Sequence, residues 1–368
     1  MKQIKVLHII KSLGRGGAEM LLPETLQLHN KNLFEFHYIY FLPWKDQMVL
    51  DIEKNGGKVS CLSAKNNIQL ITKASQVINY CNQNSIDLIH CHLPWAGFLG
   101  RIVHFKTKIP LAYTEHNMQE RYHPITKKLN KKSFNSQSLA IGVSQDVSNS
   151  IKKNINPQIP VKTILNGVNT AKYIRDSKDM IVRTEYHIPE DAFVVGIVSV
   201  FRFQKRIKEW LQVFKKFADT TSNCYGLIVG AGPLENEIKD ELSRLGLENR
   251  VVMPGLQENT IPFFNAMDVF MMSSSFEGLP IALLEAMSME CAIVTTDAGG
   301  IKEVIREEDG LMVKVEEWYQ LSDKLALLAA NPELLKRYKL SARNRVIQAF
   351  SLKVMVENLE KEYLNLVR

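Results

Sequence analysis

Two glutamates, Glu277 and Glu285, bracket the segment Phe276-Glu277-Gly278-Leu279-Pro280-Ile281-Ala282-Leu283-Leu284-Glu285. Pro280 suits the first position of a helix, because its fixed φ is helix-ready and its missing N–H would be unpaired there anyway. Glu277 then lies just before the helix, and Glu285 sits about a turn and a half inside it. Free backbone N–H groups at such a junction favour an anion, phosphate above all. A carboxylate in the second turn would repel phosphate but can hold sugar hydroxyls. The pair therefore suits a ligand that carries both phosphate and polyol groups, such as a nucleotide-sugar. The same residues also suit an ordinary helix start followed by a surface glutamate.

Further groups with chemical potential follow apolar runs. Val198-Ser199-Val200-Phe201-Arg202-Phe203-Gln204-Lys205-Arg206 sets cations at the end of a strand-like stretch. Fixed cations there can hold a diphosphate and stabilise the charge that develops as it leaves; a solvated basic loop is the alternative. Gly14-Arg15-Gly16-Gly17-Ala18-Glu19 follows the first apolar run and opens a helix. Its glycines let backbone amides approach a phosphate or a sugar. The third glycine of a dinucleotide fingerprint is missing, and Glu19 stands in the helix instead. Val229-Gly230-Ala231-Gly232-Pro233-Leu234 is a second strand-to-helix glycine turn, which suits a tight connection with or without a ligand.

His90-Cys91-His92 ends an apolar run, and strand alternation puts both histidines on one face. No third ligand is visible nearby, so a structural or substrate-contact role is expected rather than a metal. Thr114-Glu115-His116-Asn117 also ends an apolar run, so His116 should point towards a ligand crevice. No Asp-x-Asp pair occurs, so a divalent ion bridging a nucleotide diphosphate would lack its usual carboxylates. Arg202 and Lys205 are the more plausible charge partners.

The elements that must position these residues are short apolar runs alternating with helical patterns. Strands are expected near 5–10, 36–41, 58–62, 88–91, 111–114, 140–143 and 162–165, then near 194–199, 225–229, 251–253, 269–272 and 293–296. Many are apolar on both faces, as strands of a helix-covered parallel sheet must be. Strand–helix alternation implies βαβ units and an α/β fold. The 368 residues suit two domains of roughly 170–190 residues each. The polar stretch after Asn169 reads as the boundary, and Met355, Leu359, Tyr363 and Leu366 fall at helical spacing at the end.

Composition narrows the setting. Hydrophobic content of 45% and charged content of 23% are those of an ordinary globular protein. No apolar run approaches the ~20 residues needed to span a bilayer. The first apolar run lacks the core and cleavage site of a signal peptide, so a cytoplasmic location is expected. Five scattered cysteines without a Cys-x-x-Cys pair indicate buried free thiols. A net charge of +7 admits nucleic acid, an anionic membrane surface or phosphorylated ligands as partners without choosing among them.

Together the motifs resemble those of family 4 retaining glycosyltransferases of the GT-B fold. The resemblance covers nearly the whole chain and rests on Gly16-Gly17-Ala18-Glu19, His90-Cys91-His92, Thr114-Glu115-His116, Asn166-Gly167-Val168, Arg202 with Lys205, Gly230-Ala231-Gly232-Pro233, and Glu277 with Glu285. It implies two doubly wound Rossmann-like domains facing each other across a cleft. Residues 1–169 would form the acceptor-binding domain, with a helix at 353–368 crossing back onto it. Residues 186–352 would form the nucleotide-sugar-binding domain. Donor contacts would come from Gly16, Gly17, Arg202, Lys205, Gly230, Met253, Glu277, Gly278, Leu279, Pro280 and Glu285. His92, His116 and Asn117 would meet the acceptor, and His116, Arg202, Lys205 and Glu277 would serve catalysis. No metal or cofactor is implied; the nucleotide-diphosphate sugar, UDP by default, is a co-substrate. The sequence departs from the family pattern at Phe201 and Arg206, where glycine is usual, and in the short spacing from Arg202 to Lys205.

The segment Arg121-Tyr122-His123-Pro124-Ile125-Thr126-Lys127-Lys128-Leu129-Asn130-Lys131-Lys132 is basic with interleaved apolar residues. It reads as a membrane-surface patch near a lipid-linked or surface-polysaccharide acceptor, or as a solvated helix face. Nucleic acid is not expected, since no binding motif accompanies the charge. The rival enzyme is a nucleotide-sugar 2-epimerase of the same architecture. A non-catalytic nucleotide-sugar-binding protein is a reading of another class.

Overall fold

A computed structural model describes residues 3–367; the expected limits at residues 1 and 368 lie outside them. The chain divides into two compact units, Met1–Gly167 with Leu352–Arg368, and Val168–Ser351. In the first unit the strands are β1 Ile4–Ile9, β2 Phe34–Tyr40, β3 Lys58–Cys61, β4 Leu88–His92, β5 Leu111–Glu115, β6 Leu139–Gly142 and β7 Val161–Thr163. They form one parallel sheet in the order β3-β2-β1-β4-β5-β6-β7. In the second unit they are β8 Phe193–Val198, β9 Cys224–Val229, β10 Val251–Gly255, β11 Val269–Met272, β12 Ala292–Thr296 and β13 Leu311–Val313. These also form one parallel sheet, in the order β10-β9-β8-β11-β12-β13.

Burial explains the sequence pattern. Every residue of β4, β5 and β6 is buried, because helices cover both faces. The edge strands β3 and β7 are short and partly polar, which leaves little free edge for another chain to pair with. Cys61 lies on edge strand β3 and is exposed, contrary to the expectation of buried thiols; Cys81, Cys91, Cys224 and Cys291 are buried. Strand β13 was not anticipated, since three residues give too short an alternation to read.

In each sheet the order of the strands reverses once, between β1 and β4 and between β8 and β11. Crevices for ligands open at such points, at the carboxyl ends of the strands. The final helix, Leu352–Val367, belongs to the first unit, where it packs on the helix Gly17–Leu28. Its Tyr363 is fully buried in the core, with a contribution of about 1.5–3 kcal/mol on burial grounds.

The stretch read as an interdomain connection from Asn169 onwards is instead stapled to the second unit. Arg175 donates to the carbonyls of Asn265 and Met267 at the end of the helix Ile261–Ala266, and to that of Met289. Arg183 donates to the carbonyls of Ala192 and Ala266 and pairs with Asp268 at 3.1 Å. In sequence these arginines look solvated. In the fold they satisfy helix-end carbonyls that have no intrahelical partner.

Candidate functional site

The loop after β8 is shaped by a backbone-to-backbone contact with the loop after β9. A Cβ on Gly230 would stand 1.9 Å from the Ser199 carbonyl oxygen, and one on Gly232 would stand 2.5 Å from the Phe201 nitrogen. Gly230 also has φ +133, which side chains other than glycine's avoid. Phe201 is buried, and its N–H donates to the Ala231 carbonyl at 3.0 Å. Its side chain thus fills the interior under the loop where glycine is usual in the family pattern. Gly230 N–H in turn donates to the Gly255 carbonyl at 2.9 Å, which ties in Met253-Pro254-Gly255 at the end of β10.

Held this way, Arg202 is exposed, and Phe203–Lys205 forms a single tight turn. Lys205 Nζ donates to Glu277 Oε1 at 2.6 Å, and Ser274 Oγ donates to the same oxygen at 2.7 Å. Arg206 turns away and donates to the Val315 carbonyl at 2.9 Å. Its backbone is left-handed at φ +51, a conformation that favours glycine and matches the family's preference there. The ion pair is mostly shielded, with side-chain exposures of 17% and 10%.

Glu277 itself rests on a second glycine. Gly299 has φ +58, and a Cβ there would stand 2.1 Å from the Glu277 carbonyl oxygen. This contact was not found from the sequence, although an adjacent Gly299-Gly300 pair after strand β12 was a signal available for it. The following helix is Ile281–Ser288. Pro280 is its cap, in extended conformation at φ −74 and ψ 120, and not its first helical residue as expected. The shift by one leaves Glu285 as the fifth helical residue, buried at 6% exposure. Gly278 is half-buried and Leu279 buried between these two carboxylates in the chain.

The first unit gathers imidazoles. Strand pairing sets His8 of β1 beside His90 of β4, and His92 lies two residues further on the same face. His8, His90 and His92 each bring a ring nitrogen within 4.8 Å of the others. In sequence no third imidazole stands near His90 and His92, because His8 is distant in the chain; the parallel register supplies it. The trio is the candidate metal-holding group among the described residues. His90, however, is already engaged on both sides, by Tyr363 Oη at 2.7 Å and Thr114 Oγ1 at 2.7 Å. His8 Nδ1 contacts His92 Nε2 at 2.9 Å, and His8 Nε2 is buried without a partner. An ion would have to displace one of the His90 hydroxyl contacts.

Burial pushes His8, His90 and His92 well below the ordinary imidazole range, and neighbouring imidazoles add to the effect. Burial alone lowers His116 to about 4. All four are therefore neutral near pH 7. They line a cavity of about 30 Å³ together with His29 and Asn166. Neutral imidazoles can both donate to and accept from hydroxyl groups. Gly16 caps the helix Gly17–Leu28 nearby, and the Glu19 carboxylate folds over it, accepting from Ser12 Oγ at 3.0 Å.

His116 and the exposed Asn117 are held from below by Glu115. The buried Glu115 carboxylate accepts from the N–H groups of His116 and Asn117, from Gln119 Nε2 at 2.6 Å, from Tyr113 Oη at 2.8 Å and from Tyr122 Oη. Burial raises its pKa despite these donors. The fold thus brings His92, His116 and Asn117 to the strand ends of the first unit. It brings Arg202, Lys205, Gly230, Met253 and Glu277 to those of the second.

Known proteins resemble this chain in both halves. The family described as Glycosyltransferase Family 4 matches residues 26–172, and Glycosyl transferases group 1 matches residues 181–345. N-acetyl-alpha-D-glucosaminyl L-malate synthase of Bacillus anthracis is 26% identical over 304 residues, 80% of this chain and 79% of that protein. The UDP-Gal:alpha-D-GlcNAc-diphosphoundecaprenol alpha-1,3-galactosyltransferase of Escherichia coli is 22% identical over 323 residues, 82% of each. The crystal structure of Anabaena HepE in complex with UDP and glucose superimposes with a TM-score of 0.87 at 20% identity, covering 99% of this chain and 100% of that one. That likeness shows the GT-B fold.

Proposed function

Since this chain belongs to glycosyltransferase family 4, we propose that it transfers a sugar, with retention at the anomeric carbon, from a UDP-sugar to a lipid-linked or surface-polysaccharide precursor at a membrane. The observation that carries the reading is the Lys205–Glu277 pair beside Arg202, set against the start of the helix Ile281–Ser288. A lone surface lysine would bind any anion. A lysine already paired with a carboxylate, next to a second cation and a helix start, suits a ligand with a diphosphate at one end and hydroxyls at the other.

In this reading Arg202 and Lys205 take the donor diphosphate and meet the charge that develops on it as the glycosidic bond breaks. Glu277, relieved of part of its lysine contact, accepts from hydroxyls of the transferred sugar. Glu285 holds the ribose hydroxyls, and backbone around Met253 meets the base. His116, neutral and backed by Glu115, hydrogen-bonds the donor sugar or the incoming acceptor hydroxyl. The charge is met by fixed cations, so the step is proposed to run without a divalent ion. A lipid-linked acceptor draws support from the Escherichia coli relative, whose name specifies a diphosphoundecaprenol substrate.

The test is a panel of UDP-, GDP- and ADP-sugars with EDTA present, against wild type, Arg202→Ala and Glu285→Ala. Binding of one donor, its slow hydrolysis without metal and weaker binding in both variants support the reading. Conversion of donor to an epimer would replace it with the epimerase. Binding with no turnover on any acceptor would leave only a binding protein. Diphospholipid-linked sugars and L-malate are then offered as acceptors, and transfer to malate alone would overturn the lipid assignment. Nuclear magnetic resonance of the product reads the anomeric configuration directly.

A further inference from the structure

Three helices of the first unit, Asn67–Thr72, Leu93–Thr107 and Pro124–Ser133, lie side by side, with Leu93–Thr107 in the middle. The middle helix carries Trp95, Phe98, Ile102 and Phe105, a spacing of three, four and three that runs along one side. Ile102 is 39% exposed and Phe105 is 64% exposed. The flanking helices add Ile68 at 75%, Ile125 at 62% and Leu129 at 42%. Ile68, Trp95 and Ile125 line one groove, so the apolar residues of all three helices meet on a common surface.

Charge on this face has one sign. Residues 54–86, 88–114 and 121–145 contain no aspartate or glutamate at all. Lys65, Lys106, Lys108, Lys128, Lys131 and Lys132 are exposed there. Lys106 and Lys108 place their ammonium groups 5.8 and 4.8 Å from the Phe105 ring centre. The face is also stiff from beneath. Arg101 is buried and bonds Gln137, Asn130 and Ser133 while stacking on Tyr113 and Phe134.

We propose that this three-helix face docks on an anionic lipid bilayer. Ile68, Ile102, Phe105 and Ile125 enter the boundary between headgroups and acyl chains, and the lysines meet lipid phosphates. Large aliphatic tips flanked by lysines suit a layer that is apolar inside and anionic outside. Ile68, Ile102 and Ile125, the aliphatic part of the face, offer no stacking platform and no hydrogen bond to a base. Among the described residues no helix is long and apolar enough to cross a membrane. The proposal deepens the membrane-borne acceptor reading above and rests on it for its purpose.

The face is mechanically joined to the candidate acceptor loop. Asn130 Nδ2 donates to Gln119 Oε1 at 2.9 Å, and Gln119 donates to Glu115, which holds His116. A chain seated on the bilayer by these helices therefore presents His116 at a fixed distance from the lipid surface.

The experiment is flotation of the full chain with vesicles of phosphatidylcholine alone, and of phosphatidylcholine mixed with phosphatidylglycerol. Two variants are compared: Phe105→Ser with Ile125→Ser, and Lys128→Gln with Lys131→Gln and Lys132→Gln. Nucleotide-sugar binding in the same preparations serves as the folding control. Wild type is expected to float with the anionic vesicles. Three lost surface cations lower its partitioning by about 100-fold, roughly fivefold each. The serine variant is expected to lose flotation with the anionic vesicles. Equal recovery on the two vesicle types, or unchanged flotation of both variants, overturns the proposal, as does binding to duplex nucleic acid in preference to vesicles. If wild type floats but no nucleotide-sugar binds, the docking face stands and the transferase reading falls.

Discussion

Replacing Gly299 by alanine should separate the positioning of Glu277 from the stability of its unit. The backbone at Gly299 is left-handed, at φ +58, where an alanine costs roughly 1–2 kcal/mol. Its Cβ would also stand 2.1 Å from the Glu277 carbonyl oxygen, against a practical minimum of 3.0 Å, so Glu277 and Gly299 must part by about 0.9 Å. A displacement near 1 Å at a reacting group costs on the order of 100-fold in rate. Gly246 provides the control. It has φ +65 but nothing within 4 Å of its added Cβ, so Gly246→Ala carries the backbone cost without the collision. The expected result is a loss of melting temperature of about 2–8 °C in Gly246→Ala and a larger one in Gly299→Ala, where the collision adds to the backbone cost. Sugar transfer should fall about 100-fold in Gly299→Ala alone. Steady-state transfer and thermal melting read the two quantities. A Gly299→Ala protein that transfers sugar within threefold of wild type would refute the claim that this contact sets the position of Glu277.

The Lys205–Glu277 pair should show a coupling energy of about 1–3 kcal/mol in donor binding when Lys205→Ala, Glu277→Gln and the double variant are compared by calorimetry; strictly additive effects would mean that the two side chains act independently. Stability should fall as pH drops from about 6.5 towards 4. His8, His90, His92 and His116 have depressed folded pKa values, so the unfolded chain takes up protons first and gains relative stability as acid is added. Each contributes a slope of up to about 1.4 kcal/mol per pH unit, and Glu115, raised by burial, opposes them with the reverse sign. Urea midpoints across that range should show the decline, and His90→Gln should flatten it; a flat wild-type profile would contradict neutral burial of these rings.

Much of the architecture was legible in the chain. Apolar runs of strand length alternating with helical spacing specify parallel sheets, because only strands covered on both faces need be apolar throughout. The loops at the strand ends could also be located, since glycines, histidines and basic residues follow those runs where strands must end. The run after Asn169 misled, because an arginine that caps carbonyls in a distant helix is indistinguishable in sequence from one facing water. Strand β13 was too short to show a period. Pro280 was placed one residue too far inward, because both the cap and the first turn tolerate a missing N–H.

The features readable from the chain alone are therefore local: which segments are strands, which loops carry glycine or charge, and which residues share a face. Period-two alternation says that His90 and His92 point the same way, and it says so without knowing any neighbour. Which strands lie side by side, and hence that His8 completes the imidazole group, follows from the folded arrangement and not from any one segment. The same arrangement decides that Tyr363 reaches His90 across 273 residues, that Lys205 meets Glu277 across 72, and that Gly299 supports the Glu277 backbone. These pairings depend on the order and register of crossover connections. Those are set by how helices pack to bury both faces of a sheet, a property of the whole fold that no single segment encodes.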